Sequence, residues 1–184
     1  MGEQGATGRP SRQEATVREA KALAHPLRAR ILRLCGQREM TNKQLADRLG
    51  RDPGTVLYHV RQLTEAGFLE PAPVRTGDSG ALEKPYRSTG RSWWLDYPLA
   101  KAGSEDAPLV PLLAFQEELH EAGTGSIAEM ARFMLHLSPE ELAEFNARVL
   151  AVLDEYVATD GERREGRPAY GGFFLLHRLA DPPS

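Results

Sequence analysis

Side chains that can donate and accept hydrogen bonds recur along the segment 52–67. In a helix that turns about 100° per residue, Val56, Val60 and Leu63 face one way and a second group faces the other. That outward group combines hydroxyls, an amide, a guanidinium, a leucine and a glycine: Gly54, Thr55, Leu57, Tyr58, Arg61 and Gln62. Contact with base edges in a DNA major groove needs such donors, acceptors and small apolar groups on one helix face. The segment is therefore a candidate for base recognition.

Several of these residues have a second interpretation. The ring of Tyr58 could pack along the helix surface, and Arg61 could form an exposed ion pair with Glu65 at i+4. Leu57 could contact a thymine methyl or lie at the edge of the core, and Gly54 would let the backbone approach DNA closely. His59 falls on the inward side, which predicts a buried structural histidine.

Two flanking groups could hold the DNA backbone. The first lies at a helix N-terminus, where free N–H groups favour phosphate: Thr41, Asn42 and Lys43. Such contacts position a protein without reading sequence. The second lies on a hairpin and could contact phosphate or the minor groove, or could be solvated without such a role: Arg75, Lys84 and Arg87.

The elements that position these residues are marked by caps. A helix begins at Pro26, and a Thr-x-x-Gln capping box at 41–44 opens a short helix that Gly50 ends. Asp52 is a good N-cap and Pro53 suits the first position of the next helix, which runs to about Ala66. Two helices joined by a short turn with glycine predict a helix-turn-helix.

A basic hairpin comes directly after the second of these helices and is predicted to be a wing. Its first strand runs over 68–76, although Pro71 and Pro73 suit only an edge strand. Residues 77–80 form the tip, and 84–89 form the returning strand.

These residues together resemble the winged helix domain of the ArsR-type family of bacterial transcriptional repressors, over a little more than a third of the chain. The resemblance is carried by Leu23-Ala24-His25-Pro26-Leu27-Arg28-Ala29-Arg30-Ile31-Leu32, by Leu45-Ala46-x-x-Leu49, and by Thr55-Val56-x-Tyr58-His59-Val60-x-x-Leu63-x-x-Ala66-Gly67. It implies a homodimer that reads a partly palindromic operator, usually to repress. Leu57 departs from the family, which usually carries a small polar residue there.

The chain is predicted to contain four regions: a disordered N-terminus at 1–10, the winged domain at 11–95, a linker at 96–108 and an acidic helical region at 109–184. The capping box at 11–14 predicts a first helix that runs to about Ala24. Trp93 and Trp94 are expected to seal the winged domain against the C-terminal part of the chain, or to line a ligand pocket. The last region is expected to contain helices at 109–121, 126–137 and 138–158 and a strand at 173–179.

Charge is divided unequally along the chain. Residues 21–91 hold 13 Lys and Arg against 7 Asp and Glu, whereas residues 92–184 hold 7 against 16. A basic part joined to an acidic part is typical of a nucleic-acid reader with a separate partner-binding region.

Other kinds of site find little support. Cys35 is the only cysteine and lies on an apolar stripe, so we expect a buried thiol rather than a metal sensor. Glu117 and His120 could supply half of a metal site shared across a dimer, but an exposed helix face explains these two residues better. No catalytic motif or cofactor signature is present, so an enzyme is not expected. Neither a signal peptide nor an apolar run long enough for a membrane is found, which favours the cytoplasm.

The predicted fold is mainly α with a small β-hairpin wing, and its C-terminal helical region ends in a short strand. The expected function is transcription regulation by a homodimer bound to double-stranded DNA. A winged helix that binds only another protein is the alternative. The C-terminal region is expected to form the dimer interface or, as a second interpretation, a pocket for a small apolar effector lined by Met130, Phe133, Met134 and the tryptophan pair.

Overall fold

The computed structural model describes residues 12–77, 80–96 and 98–180 of the 184-residue chain. These residues belong to two compact units, one ending at residue 125 and one beginning at residue 126. The described residues form six α-helices and several short strands. The prediction of a mainly helical fold with a small β-hairpin wing is confirmed. The segment 1–10, predicted to be disordered, lies outside the described residues.

Helix α1 (Val17–Leu23) begins later than predicted, because its cap is Thr16 and not the box at 11–14. The Thr16 hydroxyl accepts a hydrogen bond from the backbone N–H of Glu19, and the Glu19 carboxylate accepts one from the N–H of Thr16 at 2.8 Å. Glu19 is buried and also pairs with Arg91 at 2.5 Å. Residues Gln13–Glu14 form the short strand β1 instead of a helical turn.

Helices α3 (Asn42–Leu49) and α4 (Pro53–Glu65) form the predicted helix-turn-helix, and α2 (Pro26–Gln37) precedes them. Both sides of the capping box at 41–44 are present, and Asp52 Oδ1 accepts a hydrogen bond from Thr55 N at 3.0 Å. Gly50 ends α3 in the left-handed conformation, with φ of 60°, which a residue with a Cβ adopts only with strain. Local caps therefore determine where α3 and α4 begin and where the turn between them lies.

One apolar core holds these helices together. Its largest members are fully buried: Ile31, Met40, Leu45, Val56, Val60, Leu63, Phe68 and Leu69. Each such aliphatic or aromatic side chain stabilises the fold by about 1.5–3 kcal/mol. Cys35 and His59 are buried beside them, as predicted. Because one face of α4 is buried in this core, its opposite face is turned outward.

The wing contains β3 (Leu69–Pro71), β4 (Arg75–Thr76), β5 (Leu82–Glu83) and β6 (Pro85–Ser88). Strand β6 lies between β3 and β2 (Met40–Thr41) and is antiparallel to both, while β4 pairs with β5. The predicted single strand over 68–76 is interrupted, because prolines 71 and 73 cannot donate to a ladder. Of the predicted tip, residues 78 and 79 lie outside the described residues.

The stretch predicted to be a linker, 96–108, packs on α1. Strand β7 (Leu95–Asp96) runs parallel to β1, and Ala102 and Ala107 are buried with Ala20. Just before it, the carbonyl of Trp93 accepts a hydrogen bond from Arg12 at 2.6 Å, and the guanidinium lies over the indole. Helix α5 (Val110–Ala122) then packs on α2, within the first unit. The region predicted at 109–184 thus spans both units.

The second unit contains α6 (Pro139–Ala158), which the predicted Ser138 capping box opens. The ring centroid of Phe145 lies 6.2 Å from that of Phe133 and 6.4 Å from that of Phe174. The predicted helix over 126–137 and the predicted strand over 173–179 are both wrong, since neither segment has this regular structure. No residue from 126 to 180 is buried, so neither segment has the packing that stabilises a short helix or an isolated strand.

Candidate nucleic-acid interface

The outward face of α4 carries the residues predicted to contact bases. Tyr58 is 59% exposed, and Gly54, Thr55 and Arg61 are exposed as well. Leu57 and Gln62 are half-buried, so they border this face more than they project from it. A single helix therefore presents a hydroxyl, a phenol and a guanidinium to solvent.

Arg61 does not form the alternative ion pair with Glu65. The Glu65 carboxylate instead pairs with Arg18 of α1, at 3.2 Å. In the part of the chain that the structure describes, no carboxylate pairs with Arg61. Its guanidinium is thus available for a ligand.

Gly54 has a structural role at the start of α4. A Cβ built on Gly54 would lie 3.0 Å from Asp52 Oδ1, the atom that caps the helix. A side chain there would therefore crowd the cap, and its absence leaves the first turn open to close approach.

The residues predicted at the N-terminus of α3 have different environments. Thr41 is buried and its hydroxyl caps α3, while the Asn42 amide donates to the carbonyl of Pro53 at 2.9 Å. Asn42 therefore links α3 to the start of α4, whereas Thr41 determines where α3 begins. Lys43 is exposed, and no described carboxylate pairs with it.

The wing cations also differ from one another. Arg75 pairs with Glu83 at 3.1 Å and Arg87 pairs with Glu70 at 2.7 Å. Lys84 is exposed and, among described residues, pairs with no carboxylate. Of the three wing cations that were predicted to contact DNA, Lys84 is the one whose charge no described carboxylate neutralises.

Residues 23–72 match the family model of a helix-turn-helix domain. The match includes α2, α3, α4 and the first wing strand and covers about a quarter of the chain. No curated protein is significantly similar to the chain. The chain therefore carries a helix-turn-helix domain, a unit that supports DNA-binding transcription regulation.

The cations of the helix-turn-helix domain are compensated mainly on its α5 side. Arg30 of α2 pairs with Glu121 and, at 3.0 Å, with Glu117. Glu121 also pairs with Arg48 of α3 at 3.0 Å, and Arg33 pairs with Glu118 at 3.3 Å. Burial raises the pKa of Glu118, although the neighbouring arginines oppose that shift. Carboxylates of α5 thus neutralise cations of α2 and α3, whereas Arg61 on the outward face of α4 pairs with no described carboxylate.

Behind the outward face of α4, His59 is held in its neutral form. Burial lowers the pKa of His59 to about 4, with smaller contributions from His25 and Arg28. The rings of His59 and His25 lie 4.4 Å apart, and Arg28 Nη1 is 3.4 Å from His59 Nδ1. This neutral imidazole packs beside Tyr58, whose ring centroid is 5.2 Å away.

A metal site finds no support in the described residues. Cys35 is buried, and this burial raises the pKa of its thiol to about 12. Across residues 12–77, 80–96 and 98–180, no group of three potential ligands comes together. Over the same residues, no helix is long and apolar enough to cross a membrane.

Proposed function

We propose that the protein is a sequence-specific transcription regulator, a homodimeric repressor of the ArsR type that reads a partly palindromic operator. The recognition helix 53–66 enters the major groove, and the wing contacts the backbone. One observation carries the proposal: the outward face of α4 is polar and exposed, and its guanidinium has no described carboxylate partner. A helix-turn-helix frame of this kind presents its second helix to bases.

The contact roles are assigned from these environments. Tyr58, Arg61 and Thr55 are proposed to touch base edges, with Gln62 and Leu57 at the border and Gly54 allowing close approach. Lys43 and Lys84 are proposed to bind phosphate, together with the wing arginines 75 and 87 once these exchange a carboxylate partner for DNA. Asn42 acts by positioning α3 against α4, and Thr41 acts by capping α3.

Homodimerisation is supported by the apolar seam of α6. Its apolar residues recur at alternating spacings of three and four: Leu142, Phe145, Val149, Val152 and Tyr156. That spacing is the one by which two helices pair along a seam. Val152 and Tyr156 are 58% and 60% exposed, so a second copy would cover them. A two-fold protein suits two half-sites about 34 Å apart on one DNA face.

The test is selection of duplexes from a random-sequence pool, with affinity then measured on the selected duplex. We expect Arg61→Ala and Tyr58→Ala each to weaken specific binding by about tenfold or more, the discrimination that a good base contact provides. Arg148→Ala, on the exposed surface of α6, is the matched control and should bind as the wild type does. If both α4 variants select and bind the same duplex with unchanged affinity, the assignment is wrong. A dimer that binds no DNA even at low salt would favour a protein-interaction module.

A further inference from the structure

A groove of about 450 Å³ separates α1 from the recognition helix α4. Its α1 side presents Arg18 and Lys21, Arg28 of α2 contributes to its wall, and its α4 side presents Tyr58 and Gln62. Two of its lining residues therefore belong to, or border, the outward face of α4. A group bound in the groove would therefore lie directly beside a ligand bound to the outward face of α4.

The groove is positively charged and largely uncompensated. Lys21 is exposed, and no carboxylate in the described ranges pairs with its ammonium group. Arg28 donates to the carbonyls of Lys21 and Ala22, at 2.7 and 2.5 Å, where α1 ends. Burial lowers the pKa of Arg28, but an arginine stays protonated at neutral pH. Among the cations of the groove, Arg18 alone pairs with a described carboxylate, that of Glu65 at the rim.

Arg28 and Lys21 have different roles at the groove: Arg28 anchors α1, and Lys21 is available to bind a ligand. Arg28 is committed to the C-terminal carbonyls of α1 and so keeps α1 beside α4. Lys21, one turn along α1 from Arg18, has its charge available at the groove. The Tyr58 hydroxyl and the Gln62 amide add hydrogen-bond donors on the opposite side.

We propose that this groove binds a phosphate of the DNA strand that borders the major groove occupied by α4, with Lys21 as the principal contact. The proposal rests on the proposed function and adds α1 to the DNA-binding surface. A phosphodiester supplies the negative charge that the lining side chains lack, and its oxygens accept hydrogen bonds from their donors. Because the groove continues into the outward face of α4, the bound phosphate adjoins the bases that are read, and it fixes the orientation of the helix.

The test uses fluorescence anisotropy with the full chain and a labelled random-sequence duplex of about 30 base pairs, long enough for both half-sites. Each phosphate contact contributes about −0.9 to the slope of log K against log salt concentration. We expect Lys21→Gln to make that slope shallower by about 1.8, because the proposed homodimer loses one phosphate contact at each half-site, and to weaken binding alike on different sequences. Thermal unfolding should be unchanged, because the Lys21 side chain holds no described partner.

Two further variants sharpen the result. Arg148→Gln removes the same charge from α6, at a side chain that is 80% exposed, and should leave the slope unchanged. Glu65→Gln should strengthen binding, because it removes the carboxylate at the rim and releases Arg18.

If the wild type binds with a steep salt dependence and Lys21→Gln shares its slope, the groove site is wrong and the proposed function stands. If Lys21→Gln and Arg148→Gln reduce the affinity for DNA equally, the groove site is also wrong, because the loss would then follow from the lower net charge of the protein. No salt-dependent binding by the wild type would overturn the proposed function as well.

Discussion

His59 illustrates how one residue on α4 serves the core while its neighbours face outward. The imidazole is 7% exposed and lies between His25 and Arg28, so a proton on it would be both desolvated and repelled. The depressed pKa couples folding to pH. Above the ordinary value of 6.5 neither the folded nor the unfolded chain protonates this group, and its contribution to stability is complete.

We predict that acid destabilises the fold through this histidine. As pH falls from 6.5 towards 4, the unfolded chain takes up a proton that the folded chain refuses, so the free energy of unfolding decreases. His59→Leu should remove up to about 3 kcal/mol of that pH-dependent loss, measured by urea denaturation at several pH values. His120→Leu, at an exposed position of α5, is the control. Parallel pH profiles for His59→Leu and the wild type would contradict the prediction.

At the scale of elements, the start of α4 depends on a single carboxylate. Asp52→Ala removes the acceptor for the N–H of Thr55 and should lower the free energy of unfolding by about 1 kcal/mol. Asp52→Ser keeps an acceptor and should lose less. Asp47→Ala, exposed on α3, removes the same group without a cap and is the control for charge. Equal stability of Asp52→Ala and Asp47→Ala in chemical denaturation would show that this cap is not needed.

Helix α5 is joined to the helix-turn-helix through Glu121, which bridges Arg30 of α2 and Arg48 of α3. The Arg30 side chain is only 14% exposed, so without Glu121 its poorly solvated charge depends on Glu117 alone. We predict that Glu121→Gln lowers the free energy of unfolding by about 1 kcal/mol or more. The ion pair of Glu144 with Arg148 on α6 is exposed and serves as the comparison. Glu144→Gln should therefore change the free energy of unfolding by much less. Equal effects of the two substitutions would contradict the bridging role.

Elements set by local contacts could be predicted from the sequence, and those set by distant ones could not. The caps at Thr41 and Asp52 and the glycine at 50 lie within a few residues of the helices that they delimit. Strand β2 depends on pairing with β6, more than forty residues further on, which no local pattern contains. The same reason explains why Arg18, and not Arg61, is the partner of Glu65. The outward face of α4 was predictable from helical periodicity, whereas the groove beside it depends on how α1 packs.

At the scale of the whole molecule, the residues from 126 to 180 form a unit without a buried side chain. Periodicity alone predicted a helix at 126–137, but Met130 and Met134 are 79% and 65% exposed, so the apolar face that such a helix would bury is left largely uncovered. Apolar spacing shows which residues could share a face, and it does not show whether a partner covers them. The small apolar effector expected from the sequence stays a prediction, because apolar spacing does not show what covers these residues.

We predict that the chain is a dimer whose association depends on α6. Val152→Glu places a charge in the apolar seam and should shift the molar mass measured by light scattering towards that of the monomer. Ala151→Glu adds the same charge to the same helix, away from the seam, and should remain dimeric. Affinity for a two-site duplex should fall with the first variant alone. A dimer that survives Val152→Glu would place the interface elsewhere.

The prolines of the wing have a consequence for self-association by strand addition. In the order β2-β6-β3 the outer strands are β2 and β3, and an open strand edge is a template for another chain. Strand β2 is two residues long, and β3 ends at Pro71, with Pro73 close behind. Neither edge offers a continuous row of N–H donors. A wing built in this way can remain uncovered while the protein is off its DNA without recruiting neighbouring chains into fibrils.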